Sequence, residues 1–328
     1  MTSPVHYCIY SVVTFTPVRY FYLYLESGLQ LPESQPHTAS RYMAGVPQLR
    51  SLCFLSGWPA EHPSVLLFAI PRSTVHRIVH RVTEEVVAIL HQVIHLPRTP
   101  EDLDAMSHRF AGLARHIAFL KAAGAIDCCH VRIKNRKLFP SILQQAICDH
   151  QDRFISTYVG WSGSVHDSRV LHNSPLYWQA IYPPPVHFIL TDGGYPCLQH
   201  PLPLITPYKR PVQGVGAQRF NSHHSRARSI IEHAFGMMKT RFHAIFLRAL
   251  EVHHTFLIAA CAVLHNICLG VGDIVAPGDE PKDDVQDEGE TGLEAVSGAL
   301  WQDQLFAEVS ALEEVPLDHN CCEQAGIL

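Results

Sequence analysis

Hydrophobic positions along this chain change their period several times, and those changes outline its elements. After Phe68-Ala69-Ile70-Pro71, residues Val75, Ile78, Val79, Val82, Val86, Ile89, Leu90 and Val93 recur at helical spacing, predicting a long amphipathic helix with Ser73 as its cap. Short apolar runs then take over and predict strands near 124–133, 142–149, 153–160 and 187–191, with a helix near 166–180. Helical spacing returns over 225–243, where Ile231, Phe235, Met238 and Phe242 form the buried stripe. Strands, then a helix, more strand and more helix predict an α/β fold: a mixed sheet flanked by helices. Four segments follow from this pattern: 1–55, which matches no recognisable pattern; 56–123, helical; 124–270, the α/β domain; and 271–328, an acidic tail expected to be disordered apart from a short helix at 300–312.

Three acids stand out against that pattern. Asp127 follows the apolar approach Gly124-Ala125-Ile126, Asp192 follows Phe188-Ile189-Leu190-Thr191 just before Gly193-Gly194-Tyr195-Pro196, and Glu232 borders the buried stripe of its helix. Carboxylates gathered about 4 Å apart repel by roughly 4 kcal/mol per pair at an effective dielectric near 20, so such a site needs a cation. Mg²⁺ or Mn²⁺ would supply it and leave room for a phosphodiester, since hard divalent ions take oxygen ligands. Asp167, in His166-Asp167-Ser168-Arg169, is either a further acid near the metal or a helix-start residue stabilised by exposed N–H groups. His130, His166, His223 and His224 with Asp167 are donor types of a zinc hydrolase, although their spacing matches no zinc motif.

Charge changes the picture of the partner. The net charge of −5 taken alone argues against DNA, but residues 1–123 carry +2, 124–270 carry +7 and 271–328 carry −14. The basic charge falls on the domain that carries the acids. Arg72, Arg77 and Arg81 cluster on the first helix as in a recognition helix, while Arg226, Arg228 and Lys239 lie on or near the Glu232 helix as candidate phosphate contacts. The acidic tail is a candidate competitor for that basic face. Ten cysteines without a C-x-x-C pair read as reduced intracellular thiols. No P-loop or nucleophile elbow is present. The apolar first 25 residues lack a basic start and are interrupted by Pro17 and Arg19, so no membrane span is expected.

From Gly124 to about Gly270 the chain resembles the nuclease domain of PIF/Harbinger transposases and the harbinger transposase-derived nucleases. Seven motifs in one order carry the resemblance: Gly-Ala-Ile-Asp-Cys-Cys-His (124–130), Asn-Arg-Lys-Leu-Phe-Pro-Ser-Ile (135–142), Gln-Ala-Ile-Cys-Asp-His (145–150), Gly-Ser-Val-His-Asp-Ser-Arg-Val (163–170), Leu-Thr-Asp-Gly-Gly-Tyr-Pro (190–196), the stretch Phe220 to Gly236, and Ala-Ala-Cys-Ala-Val-Leu-His-Asn-Ile-Cys (259–268). It implies an RNase H-like fold and a DDE triad carried onto Asp127, Asp192 and Glu232, with Asp127 bridging two Mg²⁺ or Mn²⁺ ions. It also implies action on DNA, a nuclear and secondarily cytoplasmic location, a helix-turn-helix-like character for 56–123, and a separate Myb/SANT-like DNA-binding partner.

The chain departs from the family at three places. Only Lys134 separates the first predicted strand from Asn135, Cys128 stands where similar sequences have Gly, and His233 where they have Arg. Cys128 would either crowd the metal or point into the core. His233 exchanges a permanent cation for a mostly neutral ring. Two readings follow: a metal-dependent nuclease, or a catalytically silent adaptor on DNA or chromatin that keeps the fold.

Overall fold

The expected strands assemble into one five-stranded sheet. In a computed structural model, residues 72–133, 141–209, 211–242, 246, 255–277 and 295–311 are described, with side chains from His80 onward and from Gly298 in the last segment. Strands β1 (Ala122–Arg132), β2 (Ser141–Cys148), β3 (Phe154–Ser162), β4 (Phe188–Leu190) and β5 (Leu204–Ile205) lie in the order β3-β2-β1-β4-β5. The first three form an antiparallel meander, and β4 and β5 add in parallel. Helices flank this mixed sheet in an RNase H-like α/β arrangement.

Pairing between β1 and β2 runs from Ala125 opposite Cys148 to Arg132 opposite Ser141. The shortened connection is therefore not forced into a tight turn at Lys134, because residues 133–140 all lie between the last paired positions. Residues 134–140 themselves lie outside the described residues. Gly124, with φ +146°, permits the close approach of the two strands: a Cβ there would lie 2.7 Å from Ile147 Cγ2.

Helices α1 (Arg72–Ala88) and α2 (Leu90–Val93) pack on a later helix, α7 (Thr255–Gly270), while α3 (Pro100–Ala114) packs on β1 and on α6 (Val215–Arg241). Val86, Leu103, Met106 and Phe110 join the same buried cluster as the sheet. The expected separate helical region is thus, from residue 72 on, part of the main core. The start of α3 is marked by Thr99, whose hydroxyl accepts from Asp102 N–H at 3.1 Å, followed by Pro100 and two acids.

The helix expected over 166–180 is two short ones, α4 (Asp167–His172) and α5 (Pro175–Gln179), because Ser174 caps a new start and Pro175 cannot continue the old helix. Helix α6 begins at Val215 rather than near 225. Its polar-looking His223 and His224 are buried, bonded to the carbonyls of Ala114 at 2.7 Å and Ile205 at 3.0 Å. Polar letters there belong to the core, which hid the helix start from a pattern reading.

One end of the sheet is held by two side chains of α7. Asn266 accepts from Phe154 N–H at 2.8 Å and donates to Phe154 C=O at 2.7 Å, closing the outer edge of β3. His265 Nε2 lies 2.9 Å from the Asp152 carbonyl in the β2–β3 turn. Asp149 completes that turn by accepting from Gln151 and Arg153 backbone N–H groups at 2.8 and 3.0 Å. The Leu-His-Asn and Cys-Asp-His motifs are therefore structural at these positions.

The tail differs most from expectation. Helix α8 (Ala295–Ala311) begins before residue 300 and packs on α6 and β5. Leu305 and Val309 are buried, Trp301 meets the Phe188 ring at 6.0 Å, and Gln302 donates to Thr206 C=O at 2.7 Å. An apolar stripe spaced at 301, 305 and 309 explains the docking. Gly298 sits so close to the Cys197 and Leu198 backbone that a Cβ would collide. Deleting 271–328 would strip these residues from the core, so it cannot serve as a neutral test of tail competition. Residues 278–294 and 312–328, like segment 1–55, lie outside the described residues. Among the described residues, no helix is long and apolar enough to cross a membrane.

Candidate active site

Parallel pairing of β1 and β4 brings the first two acids together. Ala125 stands opposite Leu190, so Asp127 and Asp192 each follow the paired position by two residues. Asp192 emerges just beyond the end of β4, where α/β sheets place their sites, and Asp127 stands beside it within β1, past the last position that β4 pairs. Asp127 Oδ1 accepts from Cys128 N–H at 2.8 Å, and Asp192 Oδ1 from Gly194 N–H at 3.0 Å. These local bonds fix both side chains. The Gly-Gly turn after Asp192 supplies the second of them.

Asp167, in the first turn of α4, completes the group: ligand oxygens of Asp127, Asp167 and Asp192 lie within 4.8 Å of one another. All three are partly buried. Burial pushes the Asp127 carboxyl well above the usual carboxylate range, the Asp192 charge pushes it further, and the Arg228 guanidinium only partly offsets them. The cluster is short of positive charge. Three hard oxygen donors with that deficit fit a divalent cation such as Mg²⁺ or Mn²⁺, and not a soft thiolate or imidazole set.

Glu232 is near but not in this group. Arg228, one turn earlier on α6, reaches Asp127 Oδ2 with Nη1 at 3.2 Å and Glu232 Oε1 with Nη2. The Glu232 side chain is 42 % exposed, against 16 % for Asp127 and Arg228. A guanidinium therefore joins Glu232 to Asp127, and Asp167 takes the third place among the clustered acids. Arg228, a candidate phosphate contact by sequence, lies in the site itself. Lys239 falls on the same helix face about two turns beyond Glu232, while Arg226 is turned roughly 120° away and is exposed. Arg81 is exposed on α1. Arg72 and Arg77 open that helix outside the described side chains.

Cys128 meets both expectations in part, packing against the apolar core while its thiol lies beside the carboxylates. Its Sγ lies 3.2 Å from the Tyr195 hydroxyl and 3.9 Å from Gln145 Nε2, which also donates to Tyr195 at 3.2 Å. Burial raises both the thiol and the phenol pKa, so both stay protonated beside the acids. Pattern reading missed this Tyr195–Gln145 support. Its one sequence signal is the tyrosine directly after the Asp-Gly-Gly turn. His233 is committed to Asp152, with Nδ1 at 2.7 Å from Oδ1, tying α6 to the β2–β3 turn. The imagined histidine zinc site is not assembled: His223 and His224 are bonded to backbone carbonyls, and His130 Nδ1 lies 3.1 Å from Ser141 Oγ.

A family profile described as "DDE superfamily endonuclease" matches residues 126–266, a span that opens one residue before Asp127 and closes at Asn266. Over these residues the chain is similar to that family. It is 29% identical over 271 residues to "Putative nuclease HARBI1" of Rattus norvegicus, covering 77% of this chain and 76% of that one. Identity to the Homo sapiens protein of the same name is 29% over 273 residues, with the same coverage. It is also 25% identical over 235 residues to "Protein ALP1-like" of Arabidopsis thaliana, covering 63% of this chain and 56% of that protein. These similarities agree with the resemblance to the harbinger transposase-derived nucleases that the seven motifs carry. No solved structure matches the chain.

Proposed function

We propose that this chain is a divalent-metal-dependent endonuclease acting on the phosphodiester backbone of DNA. The convergence of Asp127, Asp167 and Asp192 within 4.8 Å carries that reading. Asp127, Asp192 and Glu232 are the DDE acids, and Asp167 is a further ligand. In a two-metal site, Mg²⁺ or Mn²⁺ held by these carboxylates supplies an activated water or 3′-hydroxyl and charge stabilisation at the leaving oxygen.

The chain's own contribution is orientation and charge. Backbone N–H bonds hold Asp127 and Asp192 in fixed rotamers, and the Tyr195–Cys128–Gln145 contacts support the strand beneath them. Arg228 and Lys239 share the α6 face that carries Glu232 and present cations to the phosphates. Basic charge over 124–270, +7 in all, favours a polyanionic substrate. The same reading carries a nuclear location, with cytoplasm as a second compartment, and a Myb/SANT-like DNA-binding partner.

Nicking of supercoiled plasmid tests it. Full-length protein with Mg²⁺ or Mn²⁺ is expected to convert plasmid to the open circle, with loss of nicking in EDTA and in Asp192→Asn and Glu232→Gln. Folded, DNA-bound protein that leaves the plasmid intact would instead indicate a silent adaptor.

A further inference from the structure

Arg228 touches two of the acids assigned above, Asp127 and Glu232, and it touches them through different nitrogens. Resting on the nuclease reading, we infer that Arg228 gates the site: without nucleic acid it holds Glu232 away from the aspartate cluster, and it releases Glu232 when a substrate phosphate takes its guanidinium. Three features of the geometry carry this. Asp127 and Asp192 accept bonds from neighbouring backbone, and Asp167 stands in the first turn of α4, so each of these three has an anchor outside α6. Among the described residues Glu232 is anchored through Arg228, and its side chain is the more exposed of the two acids paired with that arginine. The guanidinium fork matches a phosphate as well as it matches a carboxylate, so a phosphodiester entering the site competes for both nitrogens at once.

A divalent cation and Arg228 also compete for Asp127 itself, because both approach the same carboxylate. Binding of metal alone is then weakened by the arginine and indifferent to Glu232. Binding with substrate present uses Glu232. Arg228 acts as a positioning residue through Glu232, and a purely structural ion pair between α6 and β1 would show none of this coupling.

Calorimetric titration of full-length protein with Mn²⁺ alone separates the possibilities. Glu232→Gln is expected to bind Mn²⁺ within about twofold of wild type, and Arg228→Gln about tenfold tighter than wild type; in the Arg228→Gln background, Glu232→Gln should then weaken binding about tenfold. A phosphorothioate duplex added to wild type should produce the same new dependence on Glu232. Arg228→Lys keeps a cation that cannot span both carboxylates, so it should uncover the Glu232 dependence even if Arg228→Gln folds poorly. Equal weakening by Glu232→Gln in all backgrounds, or no tightening in Arg228→Gln, overturns the gate while leaving the metal site standing. Absence of Mn²⁺ uptake by wild type overturns the nuclease reading and the gate with it.

Discussion

Asp127→Asn is expected to stabilise the metal-free protein while removing its metal binding and its cleavage. The wild-type carboxyl has a raised pKa, caused first by burial and then by Asp192, so the folded state holds a proton more tightly than the unfolded chain. Stability from that group is present at low pH and is lost as pH rises through the folded value, which makes the ionised Asp127 a liability at neutral pH. Each carboxylate pair at this spacing costs roughly 3 kcal/mol at an effective dielectric near 20, and the Arg228 contact returns part of it. A net gain of about 1–2 kcal/mol on replacement by Asn follows, read as a rise of a few degrees in melting temperature. Metal reverses the order. At one hundred times its dissociation constant Mn²⁺ adds about 2.7 kcal/mol to wild type and nothing to the variant. Nicking should fall about 10³-fold or more, beyond the 10–100-fold typical of an outer-shell partner. A variant that melts lower without metal and still gains stability from Mn²⁺ would refute the assignment of Asp127.

Acid should unfold the protein through two buried histidines that are not members of the acid cluster. Burial lowers the His224 and His265 pKa values to about 4, from an unfolded 6.5. Each ring donates one N–H to a carbonyl, of Ile205 and of Asp152, and is held neutral. Between pH 6.5 and 4 the unfolded chain binds more protons, so stability falls as pH falls across that window and is fully present above it. Each histidine accounts for about 3 kcal/mol when the window has been crossed, together a large part of a normal domain's stability. Asp127 works in the opposite sense, so substitution isolates the effect. Urea unfolding at pH 7.5, 6 and 5 should show the decline, and His265→Gln should reduce its slope by about half. A variant slope equal to that of wild type would show that His265 takes up its proton alike in the folded and unfolded states, against a depressed folded pKa.

Much of this arrangement can be read from the residues alone, and the exceptions have physical causes. The apolar runs before Asp127 and Asp192 become β1 and β4, and the two-residue offset past their pairing explains why those acids meet. Asp167, which the sequence leaves open between acid cluster and helix start, lies in the first turn of α4 with its carboxylate beside those of Asp127 and Asp192. Glu232 lies on the predicted helix, but only side-chain placement could show Arg228 between it and Asp127. Strand β5 is two residues between prolines, too short for any alternation to register. Helix α8 is expected from residue 300, but its docking on the core is not, since its apolar stripe acquires meaning only when Thr206 and Phe188 are there to receive it. Long-range partners, not local pattern, decided each of these.

The most direct test of a metal centre at the strand ends is the anomalous signal of Mn²⁺ in crystals of the full-length protein. The account predicts density among the carboxylates of Asp127, Asp167 and Asp192, at about 2.0–2.4 Å from their oxygens. A signal elsewhere, or none at saturating Mn²⁺ with these acids ordered, would contradict it.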